Sequence, residues 1–226
     1  MIAIISHDAG GAEIISSYIL LNGFKNDCLF SLAGPAVNIF EAKLGSIRNI
    51  EYQPAIEQCD WVLSGTSWQS QLEWKAIEYS RLHNKKSVVF LDHWVNYKER
   101  FNYNNIEHLP DELWVGDHYA EKIVQQYFKN IPVLLVENPY VRQIHSQLEE
   151  LQTLHEVLNS TCETILYVCE PVAEHMLTQF GNERHLGYTE HDALHYFLEN
   201  LQLIGKNISQ IVIRPHPSEL NYSIKY

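Results

Sequence analysis

The stretch "SVVFLDHW", residues 87–94, decides the fold class. Its first five residues form a β-rich run that is apolar on both alternating faces. This pattern is typical of a strand inside a sheet that helices cover on both sides. Asp92 and His93 follow at the carboxyl end of the strand, where open α/β sheets collect their ligands. The stretch therefore predicts a core strand and a functional edge together.

Other short apolar runs alternate along the chain with segments of helical period. Strands are predicted at Ile2–Ser6, Cys28–Leu32, Trp61–Ser64, 112–116 and 133–137, and helices at 12–21, 36–44, 69–83 and 119–128. This alternation favours parallel βα units over a β-sandwich or a helical bundle. The sequence predicts an α/β fold with a Rossmann-like parallel-sheet lobe over residues 1–139.

The pattern changes after Pro139. Residues 140–160 read as a polar amphipathic connector helix, and residues 161–226 restart the βα rhythm with one βαβ unit. Its helix is predicted over 189–205, with Thr189 as its N-cap and Gly205 at its end. A single βαβ unit has open sheet edges, which indicates a partial second Rossmann-like lobe. Either this part packs on the first lobe, or the chain is the front of a longer two-lobed protein, which we favour.

Composition limits the classes of partner. Sixteen Lys and Arg stand against 28 Asp and Glu in 226 residues, and the formal charge of −12 argues against nucleic-acid or anionic-membrane binding. No apolar run reaches the ~20 residues of a membrane span, and the N-terminus shows no basic leader, so we expect a cytoplasmic chain. Four cysteines without CxxC spacing predict buried thiols.

Two glycine-containing loops follow predicted strands. In "SHDAGGAE", residues 6–13, Gly10 and Gly11 would let a ligand approach a helix N-terminus, while His7 and Asp8 could act as an acid/base pair or hold the turn. The loop lacks the full GxGxxG pattern and the P-loop lysine.

The second loop is "SGTSWQSQLEWKA", residues 64–76. Thr66 and Ser67 offer hydroxyl groups to a ligand, although helix capping alone would explain one of them. Glu73 is either a binding carboxylate or a solvated helix residue.

The residues after the 87–91 strand carry the densest chemistry. Asp92 and His93 could transfer protons or hold a hydroxyl-rich ligand. Trp94 and Tyr97 offer flat faces for stacking, and Lys98 and Arg100 add positive charge. The alternative is a loop whose aromatic side chains cover the core.

The last short signal is "IVIRPHPSE", residues 211–219. Two prolines fix the backbone around His216, and Arg214 and Ser218 lie close enough in sequence to help it bind a phosphate. The stretch "VENPYV", residues 136–141, which contains Asn138 and Pro139, most simply turns the chain into the next helix, and a ligand role is the alternative.

The order of elements and the "RPHPSE" motif resemble the two-lobed GT-B glycosyltransferases. The motif is similar to the His-Pro motif of bacterial sialyltransferase-like and polyol-phosphate transferase-like enzymes, and this resemblance implies that His216 contacts the phosphate of a donor. The loop "HDAGG" is similar to the acceptor-side loop of these enzymes, which implies that His7 or Asp8 is the catalytic base. In that architecture the ligand lies between two lobes.

The resemblance implies a glycosyltransferase-like enzyme of surface-polysaccharide or glycoconjugate synthesis. Its donor would be a nucleotide-activated sugar or polyol phosphate, used as a substrate, and its acceptor a glycan or a small molecule. No other cofactor is expected, and no metal, because no DxD motif or clustered ligand set is evident. A nucleotide-sugar 2-epimerase or hydrolase and a noncatalytic sugar-binding or partner module remain alternatives. The sequence leaves open whether the chain forms a homo-oligomer.

Overall fold

The computed structural model describes residues 1–67, 70–154, 163–205 and 208–216. The chain divides into two compact units, Met1–Leu154 and His155–Tyr226. The predicted first lobe ended at residue 139, so the first unit also contains the helix that follows Pro139. The assignment of acceptor-side, connector and donor-side roles to these segments stays a prediction.

A six-stranded parallel sheet forms the centre of the first unit. Its strands, in spatial order, are β2 (Cys28–Leu32), β1 (Ile2–Ser6), β3 (Trp61–Ser64), β4 (Lys86–Leu91), β7 (Glu112–Val115) and β8 (Val133–Leu135). The order changes direction between β1 and β3, as in doubly wound sheets of the flavodoxin type. The prediction of an α/β, Rossmann-like parallel sheet is confirmed, and the crevice at this change of direction is the place where such sheets bind ligands.

Helices cover both faces of this sheet. They are α1 (Ala9–Asn22), α2 (Pro35–Leu44), α3 (Tyr52–Gln58), α4 (Leu72–Leu82), α6 (His118–Tyr127) and α7 (Pro139–Leu154). Side chains of α1 and α2 pack on one face, while those of α3, α4 and α6 pack on the other. The sheet is therefore the middle layer of three, and its strand ends are the places left open for chemistry.

Strand β4 has the two-sided burial that its sequence predicts. Val88 and Phe90 belong to the cluster beneath α1 and α2, whereas Val89 and Leu91 belong to the cluster beneath α6. Successive side chains of a strand point to opposite faces, so a strand with helices on both faces is apolar over a continuous run, as β4 is from Val88 to Leu91. The carboxyl end of β4 is thereby fixed in the core.

A short excursion follows β4. It contains α5 (Tyr97–Arg100) and an antiparallel hairpin of β5 (Asn102–Tyr103) and β6 (Ile106–Glu107). Asn104 and Asn105 join the two strands with positive φ angles of 51° and 62°. Asparagine tolerates this left-handed region, which tight hairpin turns need at both central positions.

Helix α7 packs on the first unit. Ser17 Oγ on α1 donates a hydrogen bond to Gln143 Oε1 on α7 at 2.7 Å. The Lys43 ammonium lies 4.6 Å from the centre of the Tyr140 ring. The first turns of the predicted connector helix are thus part of the wall of the first unit, and residues 155–160 of that prediction lie outside the described residues.

The second unit contains β9 (Glu163–Val168) and β10 (Ile208–Arg214), which pair in parallel. Two helices lie between them in sequence, α8 (Val172–Phe180) and α9 (Glu190–Glu199), of which only α9 was predicted. Thr189 caps α9 in a capping box with Asp192, as its position predicts. The predicted end at Gly205 is wrong: α9 ends at Glu199, before a short 3₁₀ turn at Leu201–Leu203. That this unit is a partial Rossmann-like lobe stays a prediction.

The structure also shows where the cysteine thiols lie and how long and apolar the helices are. The thiols of Cys28, Cys59 and Cys169 are buried, as predicted, and Cys162 lies outside the described residues. None of the helices in the described ranges combines the length and the apolar character that a membrane span needs.

Leu113 tests the packing of the sheet. It is fully buried on β7, so Leu113→Ala should lower the free energy of unfolding by about 2–5 kcal/mol through lost transfer energy and a residual cavity. Leu82→Ala, at an exposed position on α4, should change it by less than about 0.5 kcal/mol. Urea unfolding followed by circular dichroism measures both variants, and equal losses would contradict this core.

Candidate functional site

Three loops come together at the carboxyl edge of the sheet, where the strand order changes direction. They follow β1, β3 and β4, which are neighbours in the sheet, and they carry most of the predicted first-unit site residues. The backbone is tightly packed here, because a Cβ added to Gly11 would lie 3.1 Å from the Gly65 Cα atom. Side chains larger than hydrogen at these two positions would push the loops apart.

A histidine and a carboxylate of the loop after β1 form one chain of contacts with a serine of the loop after β3. His7 Nδ1 lies 2.7 Å from Asp8 Oδ1, and Ser67 Oγ donates a hydrogen bond to the same oxygen at 2.6 Å. The backbone N–H of Ser70 in turn donates to Ser67 Oγ at 2.9 Å. The predicted pair His7 and Asp8 is therefore formed, and Ser67 fixes its carboxylate.

The outer nitrogen of His7 faces a glycine. A Cβ added to Gly34 would lie 2.6 Å from His7 Nε2. The imidazole therefore packs directly against the Gly34 backbone, and any side chain larger than hydrogen at this position would displace the ring. Gly34 also has a φ of 54°, which a residue with a side chain adopts with strain.

Glu73 lies beneath this pair. Its residue surface is only 4% exposed, and its Oε1 accepts a hydrogen bond from the backbone N–H of His7 at 2.7 Å. Burial raises the pKa of the Glu73 carboxyl to about 7, and the nearby charge of Asp8 adds to the rise. The alternative of a solvated helix residue is wrong. Glu73 Oε2 and the hydroxyls of Ser6 and Ser64 are buried without a hydrogen-bond partner among the described residues.

The loop after β4 is held by a buried ion pair. Arg100 Nη1 lies 3.2 Å from Asp92 Oδ1, and both side chains are only 5% exposed. Arg100 also donates to the hydroxyl of Thr66, so one guanidinium ties the β4 loop to the β3 loop. On the other side of the carboxylate, His93 Nε2 lies 3.3 Å from Asp92 Oδ2.

Gly10 touches the same carboxylate. A Cβ added there would lie 2.1 Å from Asp92 Oδ2, closer than any stable contact. The glycine at the start of α1 is thus required by the position of Asp92, a reason that the sequence could not reveal because the two residues lie far apart along the chain.

The remaining predicted residues of this loop are dispersed. Tyr97 is buried in the cluster beneath α6, so the prediction that its face is open for stacking is wrong. Lys98 is exposed and lies over the Tyr127 ring at 5.5 Å. Trp94 is 61% exposed and keeps its face open.

In the second unit, Arg214 and His216 lie at the carboxyl end of β10. The backbone C=O of Arg214 accepts a hydrogen bond from the Cys169 N–H at 2.9 Å, which joins the ends of β9 and β10. Arg214 is exposed and His216 is partly exposed, so both are accessible to a ligand. Ser218, the third residue predicted here, lies outside the described residues.

The structure also shows a pocket that the sequence did not indicate. It measures about 510 Å³ and lies at the ends of β4, β7 and β8, with α7 as one wall. Asp92 and His93 line it, together with Asn138 of the "VENPYV" stretch and with Asp117 and Arg142, which no short motif marks. Their common signal is position, since Asp117 and Asn138 each follow a strand by two or three residues.

The described residues contain no group of three or more His, Cys, Asp or Glu side chains placed to hold a metal ion. Comparison of the chain with protein-family models gave no match, and comparisons with curated proteins and with solved structures gave none either.

Gly10→Ala tests the contact with Asp92. Alanine is favoured over glycine inside a helix by about 1 kcal/mol, so without the contact the change would stabilise the protein. We expect a loss of about 1–3 kcal/mol instead, because the new Cβ must displace the Asp92 carboxylate from Arg100. In an Asp92→Ala background the same change should cost nothing or stabilise. Urea unfolding of all four proteins measures this cycle, and an equal cost in both backgrounds would contradict the contact.

Glu73→Gln tests the buried carboxyl group. The folded-state pKa of about 7 lies above the usual 4.5, so the protonated form is favoured by folding. Its stabilising effect is complete below pH 4.5 and is lost as the pH rises to about 7, by up to about 3 kcal/mol. The free energy of unfolding of the wild type should therefore fall relative to Glu73→Gln between pH 5 and pH 8. Parallel stability curves would show that Glu73 ionises normally.

Proposed function

We propose that the chain is a glycosyltransferase-like enzyme of surface-polysaccharide or glycoconjugate synthesis. It would transfer a sugar or a polyol phosphate from a nucleotide-activated donor to a hydroxyl group of a glycan or a small molecule. The observation that carries the proposal is the contact between His7, Asp8 and Ser67 at the change in strand direction. An imidazole oriented by a fixed carboxylate is the usual arrangement for taking a proton from a hydroxyl group.

His7 is the base in this proposal. The Asp8 carboxylate accepts a hydrogen bond from Nδ1 of the imidazole in this proposal. The ring proton is then on Nδ1, and the lone pair is on Nε2. The proposal requires the acceptor oxygen to come within hydrogen-bond reach of Nε2. When Nε2 takes the hydroxyl proton, the Asp8 carboxylate stabilises the imidazolium. The deprotonated oxygen then bonds to the transferred group of the donor while the bond from that group to the nucleotide breaks, and the nucleotide leaves with the bonding electrons. Asp8 is thus a positioning residue.

The second unit, taken by itself, carries the candidate phosphate-binding residues. The resemblance to His-Pro motif enzymes assigns the donor phosphate to His216, with Arg214 as its neighbour. Arg214 ends the parallel strand β10, His216 follows it by two residues, and both are accessible, which supports this role. A departing nucleotide phosphate needs local positive charge because the chain as a whole carries a formal charge of −12.

Donor binding can be tested without knowing the acceptor. Thermal unfolding should be followed with UDP-, CMP- and GDP-linked sugars at rising concentration. One of these nucleotides should raise the Tm in a saturable way, and His216→Ala should reduce the shift by at least half. His191→Ala, a histidine on α9 in the same unit, is the matched control and should keep the full shift. A Tm that none of the ligands changes would contradict donor binding.

Turnover tests the base. His7→Ala should lower kcat by about 10²–10⁴-fold with little change in donor affinity, because the base acts on the transition state. Asp8→Asn should also lower kcat, since it disturbs the orientation of the imidazole. His118→Ala, at an exposed position on α6, should leave kcat unchanged. Released nucleotide is measured by chromatography with the donor that stabilises the protein.

The same assay separates the alternatives. Nucleotide released with free sugar or an epimer as product, in the absence of any acceptor, would favour a nucleotide-sugar hydrolase or 2-epimerase. Saturable sugar binding with no turnover under any condition would favour a noncatalytic binding or partner module. Full activity in His7→Ala would contradict the assignment of His7 as the base.

A further inference from the structure

The pocket at the ends of β4, β7 and β8 lies wholly within the first unit. Its volume of about 510 Å³ is inside the range of roughly 300–1,000 Å³ that small-molecule sites occupy. It lies on the β4 side of the sheet edge, whereas His7 and Asp8 follow β1. Leu91, Ala120 and Val141 supply apolar contacts in its lining. It is therefore a site with its own chemistry.

One wall is a flat ring that is fixed in place. Trp94 Nε1 donates a hydrogen bond to Asp117 Oδ2 at 2.8 Å. The other oxygen of Asp117 accepts the backbone N–H groups of Tyr119 and Ala120, both at 2.8 Å, as the N-cap of α6. The indole is thereby tied to a helix terminus while 61% of the Trp94 surface stays exposed. A ligand that stacks on it gains contact area at a low cost in side-chain entropy.

The polar groups of the pocket lining favour ligands that donate hydrogen bonds over anionic ligands. The lining contains the carboxylates of Asp92, Asp117 and Glu137 and the guanidinium of Arg142, together with His93 and His145. Asp92 is buried and paired with Arg100, so Asp117 and Glu137 are the carboxylates that remain for a ligand. Arg142 Nε lies 3.8 Å from Glu137 Oε2, so its charge is already partly matched. Carboxylate oxygens accept hydrogen bonds from hydroxyl groups but repel phosphates.

We propose that this pocket binds a neutral, hydroxyl-rich ring of hexose or N-acetylhexosamine type, stacked on Trp94 and hydrogen-bonded to Asp117 and Glu137. A nucleobase could stack on the same indole, but its diphosphate would meet these two carboxylates. The inference goes beyond the proposed reaction, because binding of the ring needs neither His7 nor a nucleotide.

Saturation-transfer NMR on the full chain tests the pocket with defined probes. The probes are the methyl glycosides of glucose, galactose and N-acetylglucosamine, with uridine diphosphate as the charged comparison. At least one glycoside should give a saturable signal, which uridine diphosphate does not displace. Trp94→Ala should weaken its binding at least tenfold, in keeping with the worth of stacking on an aromatic ring.

Two further variants keep the test independent of folding. Val141→Trp, at an exposed position in the pocket wall, should fill the space and abolish binding without removing any polar contact. Tyr127→Ala, an exposed aromatic at the other end of α6, should leave binding unchanged. Circular dichroism confirms that each variant is folded.

The outcomes separate this inference from the proposed reaction. A lack of signal from all three glycosides, binding unaffected by Trp94→Ala and Val141→Trp, or displacement by uridine diphosphate would each overturn the pocket assignment. Glycoside binding that survives in His7→Ala supports it even where turnover is lost. Turnover that fails while glycoside binding persists counts against the reaction and leaves the pocket intact.

Discussion

The buried ion pair between Asp92 and Arg100 is the contact on which the geometry of the first unit's functional edge depends. Removing two charges from water costs several kcal/mol per ion, and only close geometry with further hydrogen bonds offsets that cost. Here the guanidinium also binds Thr66, and the carboxylate fits against Gly10. The pair thus joins the loops after β3 and β4 to the start of α1. Loss of either partner would leave the other charge buried without a counter-charge. The two residues therefore stabilise this edge only as a pair.

Burial patterns explain which parts of the fold the sequence predicts. The residues after Lys86 are apolar at successive positions. Such a run is typical of a strand that is covered on both faces of a sheet, so the central position of this strand was predictable from residues 87–91. Helix α3, Tyr52–Gln58, was missed because it is only two turns long and has Pro54 in its first turn. Its buried contacts come from Ala55 and Ile56, too few to show a period.

The candidate site also contains residues that the sequence predicted and contacts that it did not. Residues that follow strands were found because the carboxyl ends of parallel strands share one edge, and this rule brought His7, Asp8 and Asp92 to attention. Contacts between distant segments were not predictable. Ser67 meets Asp8 across 59 positions of sequence, and Glu73 meets the backbone of His7 across 66. Neither spacing carries a periodic or motif signal, so the burial of Glu73 required coordinates.

The charge beneath His7 depends on the protonation state of the buried Glu73 carboxyl group. Burial keeps the pKa of Glu73 near 7, so below that pH the carboxyl group beneath His7 is neutral, and Asp8 supplies the negative charge beside the imidazole. Oε1 of Glu73 accepts the His7 N–H in either protonation state, so the backbone of His7 stays in place while the charge changes. The buried carboxyl group therefore holds the position of His7 constant and sets the charge beneath it by pH.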